Sequence, residues 1–121
     1  MPAIHDVAQM IRFTNQVDLG IKRAFANVAA GSTAASVVAA TTNKKIRVLS
    51  YHCQAGATAT TLVFESNGVA ISSTKDNVAR GGAVGNFNPA GWFETVKGEA
   101  LTVTTGAGST IGIDVVYAEV R

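Results

Sequence analysis

Charged residues are scarce in this 121-residue chain, where they make up 15% of the sequence, against about a quarter in an average soluble domain. A coiled coil needs many Glu, Lys and Leu residues, and a disordered chain combines low hydrophobicity with high charge, so the composition excludes both. The net charge of +2 is too small for attraction to phosphates to dominate binding, and nucleic acid is not an expected partner. So little charge suggests that another protein covers much of the surface.

Cysteine and histidine are also rare. The single cysteine, Cys53, excludes an internal disulfide and a site built from several thiolates, and its apolar strand context predicts a buried, inert thiol. The two histidines, His5 and His52, lack the spacing of a metal-binding pair, and the chain contains no GxSxG motif. The carboxylates Glu94 and Glu99 are near each other in sequence, but solvated or hydrogen-bonded carboxylates at a turn are the ordinary explanation. We expect no enzyme activity, no metal, no cofactor and no small-molecule substrate.

No hydrophobic stretch has the character of a membrane span. Residues 24–43 form a run without charge, but Asn27, Gly31, Ser32 and Thr33 interrupt it, which argues against a transmembrane helix. Near the start of the chain, Asp6 stands where a secretory signal carries positive charge. We therefore expect the protein to be assembled in a reducing cytoplasm, without a membrane partner.

What the sequence does contain is small and β-branched: 20 Ala, 15 Val, 13 Thr and 12 Gly residues. Short runs rich in strand-forming residues recur about every ten residues from Ile21 onward, separated by turn signals. Long helical patterns are absent. The pattern predicts an all-β domain over residues 21–121: an antiparallel β-sandwich, or jelly-roll-like domain, of seven or eight short strands.

Local signals sharpen this prediction at three places. Asn67-Gly68 lies between two apolar runs and predicts a tight hairpin. Residues 45–54 (KIRVLSYHCQ) change apolar phase, which indicates either burial on both faces or a β-bulge near Leu49. The glycine-rich runs at 81–85 and 106–110 do not match a phosphate-binding loop and are predicted to be turns.

The first twenty residues differ from the rest and are predicted to form an arm or a short helix. Ile4, Val7 and Ile11 recur at helical spacing, and Phe13 adds a further apolar side chain, so these four residues are candidate contacts with another molecule. Trp92 and Phe93 are the other candidate interface residues. Two interpretations of Trp92-Phe93 stay open: a plug at the end of the sandwich or at an interface, and an exposed aromatic platform for a sugar ring.

Several segments together resemble a family of small structural proteins of tailed phages. The resemblance covers residues 21–121 and is carried by KKIRVLSYHCQAGATATTLVFES at 44–66, by GGAVGNFNPAGWFETVKGEALTVTTGAG at 81–108 and by VVYAEV at 115–120. Its most specific parts are Gly91–Thr95 (GWFET) and Gly98–Leu101 (GEAL). Residues 1–20 lie outside it.

The resemblance implies a role as a capsid decoration, or cement, protein with a sandwich core. Such a protein binds the major capsid protein on the exterior of the phage head and stabilises the lattice, often as a homotrimer. The family has no catalytic residues to carry over. The alternative is a tail or head-fibre receptor-binding module that recognises a host glycan through the Trp92-Phe93 pair and the glycine turns.

Overall fold

The computed structural model describes residues 20–121, which form ten β-strands and no helix. This part of the chain therefore has no helix that is long and apolar enough to cross a membrane. The strands are β1 (Lys22–Val28), β2 (Ala35–Val38), β3 (Lys45–Ala55), β4 (Thr60–Ser66), β5 (Val69–Ala70), β6 (Lys75–Asn77), β7 (Gly82–Gly85), β8 (Phe93–Glu94), β9 (Leu101–Thr105) and β10 (Ile111–Val120).

The strands form two antiparallel sheets that pack as a sandwich, as the sequence predicted. Sheet A has the order β1-β10-β3-β7, with β8 also paired to β3, and sheet B has the order β2-β9-β4-β5, with β6 also paired to β4. The chain crosses between sheets at most connections, and the last strand lies between the first and the third. This is a jelly-roll order, in which β5 with β6 and β7 with β8 each represent one interrupted strand.

The core lies between the sheets and is built from alternate residues of the long strands. Its largest fully buried side chains include Phe64, Ile46, Leu62, Leu101 and Ile113. Aromatic rings pack together in one part of the core. The ring centroids of Phe64 and Phe93 are 4.9 Å apart, and those of Phe64 and Tyr51 are 5.4 Å apart. Such offset and edge contacts stabilise aromatic pairs by roughly 0.5–1.5 kcal/mol beyond simple burial.

A β-bulge at Leu49 confirms the predicted phase change in β3. Ser50 pairs with Val116 and Val48 with Tyr117, so Leu49 has no partner residue on β10. Val48 and Tyr51 both face the core, whereas Leu49 points to the opposite side of sheet A, where it is 3% exposed. The extra residue lets both ends of an eleven-residue strand bury apolar side chains in the same core.

The Asn67-Gly68 hairpin is confirmed as well. The two residues have φ of 47° and 90°, and Ser66 pairs with Val69 across them, as in a two-residue hairpin with positive φ at both central positions.

The turn prediction for residues 81–85 was wrong, because Gly82–Gly85 is strand β7. A Cβ atom at Gly82 would lie 1.9 Å from the carbonyl oxygen of Cys53, and one at Gly85 would lie 2.2 Å from the Tyr51 ring. These glycines therefore let β7 approach β3 closely, which strand propensity does not report. Strand β6 was also missed by the sequence analysis, because its polar residues (KDN) lack a strand pattern.

Cys53 is fully buried on β3, as the sequence predicted. Burial raises the pKa of its thiol, and a backbone hydrogen bond with Ala83 opposes this only in part. The thiol is therefore protonated and unreactive at neutral pH.

A buried carboxylate joins sheet B to two loops. The hydroxyls of Thr102 and Thr104 donate to Glu65 at 3.3 and 2.9 Å, and they accept from the backbone N–H groups of Gly68 and Ala34 at 3.0 and 3.1 Å. Each threonine hydroxyl thus links a loop N–H group to the Glu65 carboxylate. These hydrogen bonds satisfy a carboxylate that would be costly to bury without partners.

Glu119 fastens the end of β10 to β1. Lys22 Nζ donates to Glu119 Oε1 at 2.5 Å, and the Thr41 hydroxyl donates to Oε2. The hydrogen bond from Lys22, followed by that from Thr41, lowers the pKa of the Glu119 carboxyl below its ordinary value of 4.5. Because the carboxylate is favoured in the folded state, it adds stability above that pH, and this contribution is lost as the pH falls through the lowered pKa.

We expect Glu119→Gln to destabilise the protein at about pH 7 by up to about 1 kcal/mol, since the Lys22 side chain is half exposed. The difference from the wild type should be smaller at about pH 3, because the wild-type Glu119 carboxylate takes up a proton as the pH falls through its lowered pKa. Urea denaturation of both chains at the two pH values measures this, with Asp76→Asn, at an exposed position on β6, as the control. An equal difference at both pH values would contradict the assignment.

Candidate functional site

The outer face of sheet A is the most distinctive surface of the described chain. Three rows of side chains cross it, and the middle row runs from Phe25 through Asp114 and His52 to Val84 on four successive strands. The neighbouring row contains Arg23, Val116 and Ser50. Together with the loop after β7, these residues line an open groove with a volume of about 860 Å³.

Apolar exposure is concentrated on this face and its margins. Eight large hydrophobic side chains are exposed among the described residues, and five of them lie here: Ile21, Phe25, Val84, Phe87 and Trp92. Phe25 is 77% exposed. An exposed apolar cluster with a polar surround is typical of a protein contact, whereas single exposed apolar residues are common everywhere.

The bulge at Leu49 places a second apolar cluster at one end of this face. Leu49, Ala118 and Val120 are buried, with Val116 packed against them. The loop between β7 and β8 runs past this cluster, because Asn88 N–H donates to Leu49 O and Trp92 N–H donates to Val48 O, both at 2.8 Å. The bulge therefore positions the loop that carries the exposed aromatic residues.

The charges on the outer face are few and opposite in sign. Asp114 Oδ2 lies 3.7 Å from His52 Nδ1, with both side chains at least half exposed. Arg23 stands on the adjacent strand, and within the described part of the chain it has no ion-pair partner. Among the residues that line the groove, Arg23 is therefore the only lysine or arginine and Asp114 the only carboxylate.

The structure separates the two aromatic candidates of the sequence analysis. Phe93 packs against the core, whereas Trp92 is 47% exposed at the β7–β8 margin. The Trp92 ring meets Tyr51 edge-on at 5.6 Å, and its indole N–H donates to Asn86 O at 2.7 Å. Phe93 also contacts the Tyr51 ring, at 5.9 Å, but it is partly buried against the core, so the two rings do not form a common exposed platform.

The other predicted interface residues, Ile4, Val7, Ile11 and Phe13, lie outside the described residues. Sequence analysis missed Phe25, Val84 and Phe87 as surface residues. The alternation in Lys22–Val28 places the Phe25 side chain on the other face of the strand from Ala24 and Ala26. This pattern could have indicated that Phe25 faces away from the core.

Residues with possible chemical roles are occupied in structural contacts. The Ser66 hydroxyl donates to Glu99 Oε1 at 2.5 Å, and Arg47 lies 3.7 Å from Glu94 Oε1. Residues 20–121 contain no group of three or more His, Cys, Asp or Glu side chains that could hold a metal ion.

Comparisons with known proteins show similarity in fold. No protein-family model and no curated protein sequence matches the chain. A subunit of Bacillus endospore appendages, which form disulfide-linked pili, has a similar fold at 18% identity, with a TM-score of 0.52 over 85% of this chain and 88% of that chain. A virus-like particle subunit of extra small virus from the giant freshwater prawn Macrobrachium rosenbergii is 12% identical, with a TM-score of 0.40 over 85% and 81% of the two chains.

These values establish a shared β-sandwich fold with the appendage subunit and nothing about activity. The virus-like particle subunit, at its lower score, supports no inference.

We expect Trp92→Ala to lower the free energy of unfolding by roughly 1–2 kcal/mol, because it removes both the ring contact with Tyr51 and the hydrogen bond to Asn86. Trp92→Phe keeps a ring at this position and should cost less. Urea denaturation followed by far-ultraviolet circular dichroism measures both, since Trp92 is the only tryptophan. Val96→Ala, at an exposed apolar residue, is the control. Unchanged stability in Trp92→Ala would show that the ring contributes nothing to the fold.

Proposed function

We propose that this protein is a structural subunit that binds the exterior of a tailed-phage head and stabilises the capsid lattice. The observation that best supports a role as a subunit of a larger assembly is the concentration of exposed apolar side chains on the outer face of sheet A and its margins, since such a patch is typical of a protein contact. The sequence resemblance over residues 21–121 supplies the capsid context. The proposal involves no catalytic step, and its partner is the major capsid protein.

The mechanism needs only binding to the assembled shell. A protein that binds the shell but not its separated subunits stabilises the shell by about 2.7 kcal/mol per site when its free concentration is a hundred times the dissociation constant. This term acts at every occupied site of the lattice.

In this proposal the apolar residues of segment 1–20 supply the contact with the capsid. They are Ile4, Val7, Ile11 and Phe13, and buried apolar side chains are the usual anchors of such contacts. The expected homotrimer is a prediction from the resemblance. A disulfide between copies is not expected, because the only thiol of the chain, Cys53, is fully buried.

Binding to undecorated phage heads tests the proposal directly. The protein should co-sediment with heads and raise the temperature at which they lose their DNA. Replacing Ile4, Val7, Ile11 and Phe13 together by Ser should abolish binding, and so should deletion of residues 1–20. The matched control replaces four polar residues of the same segment by Ser, namely His5, Gln9, Asn15 and Gln16, and should bind normally.

Each outcome separates two parts of the proposal. If the wild-type protein does not bind heads, the proposed function is wrong. If the variant without the four apolar residues binds as well as its control, the function stands and the assignment to segment 1–20 is wrong. Circular dichroism of each variant checks that the sandwich remains folded.

The alternative function is glycan recognition by a receptor-binding module, and the half-exposed Trp92 is the observation that favours it. Under the cement proposal, a screen against host-surface glycans should show no binding, and Trp92→Ala should leave head binding unchanged. Glycan binding that is lost in Trp92→Ala would favour the alternative.

A further inference from the structure

We propose that the outer face of sheet A binds the same face of a second copy of this chain about a two-fold axis, with Arg23 opposite Asp114 of the second copy. This goes beyond the proposed function, because it concerns self-association and needs no capsid. It also differs from the stoichiometry that the resemblance implies.

The argument begins with the positions of four side chains. Arg23 pairs with Val116, and Phe25 pairs with Asp114, on the adjacent strands β1 and β10. All four point away from the core, since the inward positions alternate with them at Ala24 and Val115. They form a rectangle of about 5 by 7 Å, with Arg23 and Asp114 on one diagonal and Phe25 and Val116 on the other.

Consider a two-fold axis that lies parallel to the face and near the Phe25–Val116 diagonal. Rotation about this axis places the Arg23 corner of one copy over the Asp114 corner of the other. Arg23 of each copy then faces Asp114 of the other, and Phe25 comes close to its own counterpart. Sheets that pack face to face are about 10 Å apart, a gap that an arginine and an aspartate reaching from opposite sides can bridge. The arrangement forms two equivalent ion pairs around an aromatic contact.

Charge complementarity indicates that the occupant is a second copy. The rectangle carries one cation and one anion, and a two-fold contact about the Phe25–Val116 diagonal pairs each of them with its opposite in the second copy. The Arg23 guanidinium has no ion-pair partner within the described part of the chain. Phe25, at 77% exposure, is the apolar anchor that such an interface needs near its centre.

A mixing experiment with two charge-reversed chains tests the proposal. The wild-type protein should sediment as a dimer that dissociates on dilution. Arg23→Asp and Asp114→Arg should each weaken homodimer formation by about a hundredfold or more, because each places like charges together twice. An equimolar mixture of the two variants should form heterodimers near wild-type affinity, since both ion pairs are then restored, one as in the wild type and one with its charges exchanged.

Controls are available elsewhere on the surface. Asp76→Arg and Lys97→Asp reverse charges at exposed positions outside the rectangle and should leave the dimer unchanged. Phe25→Ser should weaken it without a charge change. Circular dichroism of every variant verifies folding.

The proposal is overturned if the wild-type protein is a monomer or a trimer at every concentration, or if the mixture of variants does not associate. Loss of the dimer on deletion of residues 1–19, with no effect of the charge reversals, would assign the contact to that segment instead. Head binding can be measured independently in each variant, so failure of the dimer and failure of the cement function are distinguishable.

Discussion

The bulge at Leu49 is the constraint on which most of this fold depends. Strand β3 is the longest strand of the described chain, and a regular strand of that length would turn the apolar residues of one half toward solvent. One extra residue corrects the phase, so that Val48 and Tyr51 reach the same core. The same residue divides the free edge of β3, where β8 pairs with Arg47 and Val48 and β7 pairs with Tyr51–Gln54.

The division of that edge determines where the exposed aromatic residues lie on the surface. The chain between β7 and β8 cannot continue the ladder past the bulge, and it leaves the sheet as a loop anchored on the carbonyl groups of Val48 and Leu49. That loop carries Phe87 and ends at Trp92, which closes the core beside Tyr51. The aromatic residues at the surface and the aromatic residues of the core are thus connected through a single irregularity in one strand.

Hydrogen bonds to two carboxylates fix the positions of strand ends and loops in a protein with little charge. The hydroxyls of Thr102 and Thr104 hold Glu65, whereas Lys22 and the Thr41 hydroxyl hold Glu119. Hydroxyl and backbone donors satisfy these carboxylates without a dense network of surface ion pairs. On the outer face of sheet A, Arg23 and Asp114 remain exposed, and the proposed dimer uses both.

The sequence by itself determined what depends on neighbouring residues: the all-β class, the Asn67-Gly68 hairpin, the phase change near Leu49 and the buried thiol of Cys53. These follow from alternation, turn geometry and polarity, which act over a few positions. Only the tertiary structure decided that Gly82–Gly85 is a strand, that Phe93 turns inward while Trp92 stays at the surface, and that Arg23 lies diagonally across from Asp114. Each of these depends on strands that are far apart in sequence but adjacent in the sheet, and local propensity carries no information about which strands will pair.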